Sequence, residues 1–288
     1  MNKQVALITW AGLPLGAESE QLLLPLLAAS GINARMVDWR DSSVAFSSFD
    51  LVVLRSCWDY HLHANEFTEW LLRTARVATI LNKVDTVLWN SNKFYLRELE
   101  ERGIQIAPTC FVASGEWIDR HHLQKIQNWT RVVAKPAVSA SAHKTWVFDH
   151  RNFPSPEELG ELMDGKDFLL QQFIPEIQTQ GEISFVYIDG HYSHAVLKRP
   201  ASGDFRVQQE HGGSAKLFSP SASLLQKANA IAQAVPQVWD SLYCRLDAVE
   251  KNGKLILMEL ELIEPELFLG LAQGAAERFA TAIIRRLR

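Results

Sequence analysis

Short apolar runs separated by amphipathic stretches organise the first part of the chain. Val5 to Thr9 is the first run and closes in the turn-rich Ala11-Gly12-Leu13-Pro14-Leu15-Gly16. Glu18 to Ser30 has helical length and a stop at Gly31. Ala34 to Val37, Leu51 to Leu54 and Val77 to Leu81 supply three more strand-like runs, with a helix predicted over Phe67 to Arg76. Strands alternating with helices imply a parallel sheet with helices on its faces. Ligands of such sheets gather beyond the strands' carboxyl ends, so the loops after Thr9 and Leu54 draw interest.

The pattern then changes. Asn82 to Gly103 reads as helix, Arg131 to Lys135 as a β-branched strand, and Pro136 to Lys144 as a loop before a returning strand at Thr145 to Phe148. Pro154 to Met163 is a predicted helix with Ser155 and Pro156 in N-cap and first-turn order. Phe168 to Ile174 is another strand. Ile183 to Ile188 and His191 to Arg199 flank Asp189-Gly190, a hairpin signal. Ser221 to Val238 is helical with a distortion expected at Pro236. Leu242 to Glu250 and Leu255 to Leu262 form a second hairpin, and Gly270 to Arg288 a closing helix. The expected fold class is an α/β N-terminal domain followed by an α+β region rich in antiparallel hairpins.

Composition narrows the partners. The 288 residues carry a net charge of −4, with 47% hydrophobic and 22% charged residues. No Lys/Arg block suggests nucleic acid or a polybasic membrane surface, which favours a small-molecule partner. The longest apolar stretches, such as Leu22 to Ala29, fall short of a membrane span. Met1 runs straight into a strand-like segment without a secretory signal pattern. Cys57, Cys110 and Cys244 are too scattered for a disulfide framework or a zinc site, and a cytoplasmic setting is expected.

The sharpest chemistry lies near the C-terminus. Glu259 and Glu261 stand two apart on one strand, so both project from one face, and Asp247 on the hairpin partner can join them. Converging carboxylates repel unless cations lie between them, and an oxygen-rich set suits Mg2+ with substrate phosphates. Lys135 ends the apolar strand Val132-Val133-Ala134, an unusual place for an ammonium unless it meets an anion. Lys93 opens a helix at Asn90-Ser91-Asn92-Lys93. The loop Val138-Ser139-Ala140-Ser141-Ala142-His143 is built of small residues that let backbone N–H groups approach phosphates.

In order, these motifs resemble the ATP-grasp superfamily: a lysine-bearing helix, a strand ending Lys135-Pro136, a small-residue loop, Gln171-Gln172-Phe173-Ile174, Gly181-Glu182, and Asp247 with Glu259-Leu260-Glu261. The similarity is greatest to its glutathione synthetase-like and ribosomal-protein glutamate ligase-like branch. Arg55-Ser56-Cys57-Trp58-Asp59-Tyr60, Lys135 to Ala140 and Glu259 to Pro265 are similar to the group containing the O-ureidoserine cyclo-ligase of cycloserine biosynthesis. The resemblance implies a pre-ATP-grasp substrate domain over 1–82, a central lid subdomain over 83–172 and a C-terminal ATP-grasp subdomain over 173–288.

By the same resemblance, Lys93 and Lys135 hold ATP phosphates under a loop containing Ser139 and Ser141. Gln171, Gln172, Phe173 and Ile174 read the adenine edge, and Glu182 accepts from the ribose. Asp247, Glu259 and Glu261 bind Mg2+, while Arg199, Arg206 and Arg245 serve the transferring phosphoryl group. The implied reaction is an ADP-forming carboxylate–amine ligation of an amino-acid-like substrate through an acyl-phosphate, with ring closure as one form. A homo-oligomer is compatible with this family. Two departures stand out: Glu261 occupies the position of the family's usual Asn, and the loop lacks the usual glycines.

The residues also suggest a substrate end. Arg55, following the third strand, can clamp a carboxylate, Asp59 can pair with an amine, and Ser56, Trp58 and Tyr60 complete a pocket. Thr9 to Gly12 offers an opposite wall. His211-Gly212-Gly213 resembles a phosphate or substrate loop. Cys57 reads as a packed thiol, and His61 with His63 lacks a third zinc ligand. Two other readings remain, an inactive nucleotide-binding sensor or scaffold and a nicotinamide-dependent oxidoreductase. Against the latter, Gly12 to Gly16 does not match G-x-G-x-x-G.

Overall fold

Every apolar run of the N-terminal pattern enters one sheet in the computed structural model of the chain, which describes residues 2–207 and 211–287. Strands β1 (Gln4–Thr9), β2 (Asn33–Asp38), β3 (Leu51–Leu54) and β4 (Thr79–Leu81) lie parallel in the order β2-β1-β3-β4. Alternation sorts their side chains. Val5, Leu7, Leu51 and Val53 face helices α1 (Glu18–Gln21) and α2 (Leu23–Ala29), whereas Ala6, Ile8, Val52 and Leu54 face α3 (Ala64–Thr74) with Phe67 and Trp70. Both faces are covered, which is why β1 and β3 read as unbroken apolar runs. The helix expected from Glu18 to Ser30 is interrupted at Leu22, because Pro25 has no N–H to offer the carbonyl of Gln21.

The predicted helix over Asn82 to Gly103 is two helices, α4 (Val84–Ser91) and α5 (Tyr95–Glu101). Asn92 between them is extended, and its side-chain oxygen accepts the N–H of Phe94 at 3.0 Å. Lys93 therefore stands in the break and not at a helix start. Strands β5 (Thr109–Val112), β6 (Arg131–Pro136), β7 (Trp146–Asp149) and β8 (Phe168–Gln172) form an antiparallel sheet ordered β5-β8-β6-β7. Helices α6 (Arg120–Ile126) and α7 (Pro156–Met163) pack on it through Ile126, Leu159 and Met163.

After the short helix α8 (Glu176–Thr179), β9 (Glu182–Ile188), β10 (His191–Arg199) and β11 (Ser214–Phe218) join β12 (Tyr243–Lys251) and β13 (Lys254–Glu261). The order is β11-β10-β9-β12-β13, all antiparallel. Both hairpins turn on left-handed pairs, Asp189-Gly190 (φ 51° and 75°) and Asn252-Gly253 (φ 51° and 72°), which match the twist of the strands. Between β11 and β12, α9 (Ala222–Ala234) yields to α10 (Pro236–Asp240), with Pro236 in the first turn. The closing helix α11 (Ala275–Arg286) begins after Gly274, later than expected. Strands β5 and β11 and helix α6 escaped the sequence reading; β11 is mostly exposed and shows no clean alternation. Trp239 on α10 is 48% exposed. No helix among the described residues is long and apolar enough to cross a membrane.

The parallel sheet shares a core with the large antiparallel one, where Val5, Leu7 and Leu23 pack with Val186, Ile188, Tyr243 and Phe279. Arg55 sits at this junction, fully buried. It pairs with Glu20 at 3.2 Å, donates to the carbonyl of Pro265 at 2.8 Å, and lies over the rings of Tyr243 and Phe279. Ser56 donates to the same Glu20 carboxylate. Asp59 is buried as well, accepting from Trp39 Nε1 at 2.8 Å and pairing with Arg40 at 3.1 Å. Arg55, Ser56 and Asp59 are thus engaged inside the fold and do not line the cleft described below, whereas a substrate clamp was expected of them. In the loop after β1, the Trp10 ring covers Gly12 so closely that a Cβ there would lie 2.1 Å from it. That loop is filled by its own indole and offers no open dinucleotide turn.

Removing Arg55 leaves Glu20 buried and uncompensated, so Arg55→Met is expected to lower the unfolding free energy by about 3–5 kcal/mol. Adding Glu20→Gln is expected to recover much of that loss. Urea titrations of the single and double variants measure both, and a single-variant loss below about 1 kcal/mol would show the pair to be dispensable.

Candidate active site

Cross-strand register assembles a charged floor. On β9, β10, β12 and β13 the opposed pairs are Glu182 with Lys198, Ser184 with Asp247, Asp247 with Glu259, and Arg245 with Glu261. Opposed residues share a face, so all of these side chains except the buried Ser184 line one side of a cleft of about 290 Å³. Sheet β5-β8-β6-β7 contributes the other side through Val133, Lys135 and Gln171.

Ion pairs tie the floor together. Asp247 accepts from Ser184 Oγ at 2.5 Å, Lys198 Nζ at 2.9 Å and Arg245 Nη2 at 2.9 Å. Burial alone would raise its carboxyl, but Arg245 and Lys198 hold it well below the usual range. Lys198 also pairs with Glu182 at 2.7 Å, and Arg245 Nη2 reaches Glu261. Burial pushes Glu261 well above the ordinary carboxylate range in spite of Arg245, with Asp247 and Glu259 adding repulsion. Among the described residues no three His, Cys, Asp or Glu side chains form a closed metal cage. Mg2+ does not require one, since it commonly takes one or two carboxylates with phosphates and waters. Hard oxygen donors gathered on one face fit such an ion.

Lys93 and Lys135 stand above the floor. The main-chain N–H of Lys93 donates to Ala137 O at 2.9 Å, and its ammonium donates to Ser139 O and pairs with Glu259 at 3.0 Å. Helices α4 and α5 fix it by satisfying the edge of β13. Asn90 bonds both Leu260 O and Leu262 N, and Tyr95 OH bonds the N–H and carbonyl of Leu260. Lys135 has no ion-pair or hydrogen-bond partner among the described residues, and burial lowers its pKa despite Glu259 nearby. Ser139, Ser141 and Ala142 line the cleft. Ser141, Ala142 and Lys144 take φ of 49°, 54° and 50°, so the loop adopts left-handed turns without glycine, at about 1 kcal/mol or more per residue. His143 in this loop meets the His61 ring at 5.2 Å, and burial, then His143, lowers His61 to about 4.

At one end the cleft is apolar, with Val133, Phe173, Ile174, Ile177, Met258 and Leu260 beside Gln171 and Gln172. The N–H of Phe173 is taken by Arg131 O at 3.1 Å, and Gln171 donates its side-chain amide to Thr109 at 3.0 Å. Arg206 lines the cleft and is oriented by Asp204 at 2.8 Å. The far end is lined by Trp58, Tyr60, Ile263, Glu264, Glu266 and Phe268.

Several expected residues stay outside. Arg199 is exposed and does not line the cleft; its neighbour Lys198 does, because successive strand residues face opposite ways. His211, Gly212 and Gly213 do not line it either, and residues 208–210 lie outside the described residues. Cys57 is buried, and desolvation pushes its thiol up, as a packed thiol requires. Lys198, Glu264 and Glu266 were not singled out in the sequence, although Glu264 and Glu266 directly follow the strand of Glu259 and Glu261.

Comparison with known proteins gives a consistent answer. Residues 5–82 match the family model described as D-cycloserine synthetase DcsG, N-terminal domain. The chain is 28% identical over 283 residues to the cycloserine biosynthesis protein DcsG of Streptomyces lavendulae, covering 92% of this chain and 93% of that protein. The crystal structure of D-cycloserine synthetase DcsG superposes with a TM-score of 0.86 at 27% identity, covering 99% of this chain and 100% of that one. The ATP-grasp ligase PsnB, solved with a precursor variant, Mg and ADP, superposes with a TM-score of 0.68 at 14% identity over the full length of both chains. The fold is that of ATP-grasp ligases.

Burial raises the Glu264 carboxyl to about 8, with Lys93 opposing and Glu259 reinforcing the shift. The folded pKa lies above the unfolded one, so ionising Glu264 works against folding as pH rises from about 4.5 toward 8. Glu264→Gln is therefore expected to raise the Tm of the ligand-free chain at pH 8 and to leave it nearly unchanged at pH 4. Thermal melts across that range check the sign, and a gain confined to low pH would contradict it.

Proposed function

We propose that this ATP-grasp ligase activates the carboxyl group of a small amino-acid-like acid with ATP and joins it to an amine, releasing ADP and phosphate. The observation that carries the reading is Lys135, an ammonium in the cleft with no partner among the described residues, above a floor of Asp247, Glu259 and Glu261. A desolvated cation of that kind fits a phosphate.

Adenine fits the apolar end beside Phe173, Ile174, Met258 and Leu260, with the Gln171–Ile174 segment along its edge. Glu182 is suited to accept from a ribose hydroxyl. Lys93 and Lys135 hold the phosphates beneath the loop of Ser139 and Ser141. Asp247, Glu259 and Glu261 are the residues that would hold Mg2+, which when bound screens phosphate charge and orients the γ-phosphoryl group. A substrate carboxylate oxygen attacks the γ-phosphorus, the bond to the bridging oxygen breaks, and ADP leaves. Arg206 and Arg245 disperse the charge of the transferring group. The amine then attacks the acyl carbon and phosphate departs, the amine losing a proton. Acyl-phosphates hydrolyse readily, so the closed small-residue loop serves to keep water out. Similarity along the full length to D-cycloserine synthetase supports a nucleophile carried by the same molecule, giving ring closure.

Mg2+-dependent ADP release from ATP is expected only in the presence of an acid from pools of amino acids, dipeptides and O-ureidoserine. Lys135→Ala and Glu259→Gln are each expected to cut that release by about a hundredfold or more while the far-UV spectrum stays native. Substrate-dependent release that survives both substitutions would defeat the reading.

A further inference from the structure

Among the described residues six carboxylates line the cleft: Glu182, Asp247, Glu259, Glu261, Glu264 and Glu266. Lys198, Arg245 and Lys93 pair with the first four. Glu266 accepts from Ser19 Oγ and from the N–H of Phe268, both at 2.7 Å. Glu264 stands apart. Among the described residues its carboxylate has only its own main-chain N–H as a hydrogen-bonding partner, and no cation lies within ion-pair distance. Lys93 is already engaged by Ser139 O and Glu259.

Its position is not incidental. Trp58 Nε1 donates to the Glu264 main-chain carbonyl at 3.0 Å, and Arg55 holds the carbonyl of Pro265 at 2.8 Å. The segment leaving β13 is thus fixed at Glu264 and just after it. Met258, near Ile174, belongs to the apolar end, and Glu264 belongs to the end lined by Trp58, Tyr60 and Phe268. A half-buried carboxylate without a counter-charge opposes folding, and such a group persists where a ligand completes it. Among the described residues lining the cleft, Lys135 is a cation and Glu264 a carboxyl group without a side-chain partner, and the two call for opposite charges on what binds.

We propose that Glu264 selects the substrate by holding an ammonium group at the end of the cleft away from the nucleotide. This assignment rests on the ligase reading and narrows the substrate to an acid that also bears a cationic amine. The aromatic residues Trp58, Tyr60 and Phe268 suit that cation as well, through their ring faces. A matching acid with a hydroxyl in place of the amine brings no charge and leaves Glu264 uncompensated.

The test is calorimetric titration of the full chain saturated with Mg·AMPPNP. The probes are small α-amino acids, O-ureidoserine included, each set against its α-hydroxy counterpart. The wild type is expected to prefer at least one amine-bearing acid by roughly 10- to 100-fold. Glu264→Gln is expected to shrink that preference to within about threefold with AMPPNP affinity unchanged. Glu264→Asp, which keeps the charge on a shorter arm, is expected to retain the preference with weaker binding, a result that a merely structural role would not give. Equal affinity for both members of every pair, binding of neither member of any pair, or a preference that survives Glu264→Gln overturns the proposal. Failure of the wild type to bind AMPPNP brings down the ligase reading, and this proposal with it.

Discussion

The carboxylates on the β10-β9-β12-β13 face must meet cations, and the arrangement of the site follows from that requirement. Glu182, Asp247, Glu259 and Glu261 are removed from bulk water, where isolated carboxylates would each be strongly disfavoured. Lys198, Arg245 and Lys93 are placed among them at ion-pair distance. Arg245 matters most in this set, since one guanidinium serves both Asp247 and Glu261 and also donates to the carbonyl of Glu266. Its planar donors allow this where a single ammonium would not. Lys135 and Glu264, without a side-chain partner among the described residues, are the part of the electrostatics that a ligand can complete.

The second constraint is mechanical. Two side chains flanking the helical break, Asn90 of α4 and Tyr95 of α5, satisfy the exposed backbone edge of β13, so Lys93 between them is fixed relative to Glu259. On the other side Asn82 bonds the N–H of Leu242 and the carbonyls of Tyr243 and Leu262. Tyr243 OH bonds the carbonyls of Leu54 and Ile263. Together with the Arg55–Glu20 pair, these contacts clamp the segment after β13 between the parallel sheet and α11. The N-terminal sheet thus shapes the far end of the cleft through Trp58 and Tyr60 while its own charged residues stay structural.

Much of the architecture was legible along the chain. The βα alternation of the first sheet, both hairpin turns and the strand-end Lys135 could be read from period, turn chemistry and the oddity of a buried ammonium. The carboxylate face was harder, because register had to be known. Counted back from the Lys251–Lys254 pair at its turn, an unbroken β12–β13 ladder would set Asp247 opposite Met258 and turn Glu259 to the other face. A bulge between Asp247 and Ala248 shifts the register and brings Glu259 opposite Asp247. The β9–β10 hairpin has the same device: an irregularity between Tyr192 and His194 sets Lys198 opposite Glu182. Lys198 and Arg199 are adjacent basic residues, and only that shift decides which one enters the cleft.

By itself the sequence determined the order of the elements, the turns and the residue types needed for phosphate and carboxylate chemistry. All of these depend on contacts between near neighbours, whose geometry is set by backbone sterics and side-chain period. The tertiary structure alone decided which charges meet. Arg55 looked like a ligand clamp because it follows a strand where such sheets bind ligands, yet α1 supplies Glu20 and α11 supplies Phe279 to enclose it. Glu264 looked like the tail of a strand, yet every other cleft carboxylate finds its partner elsewhere. Partnership between buried charges depends on desolvation and on residues far apart in the chain, and neither is fixed until the sheets have packed.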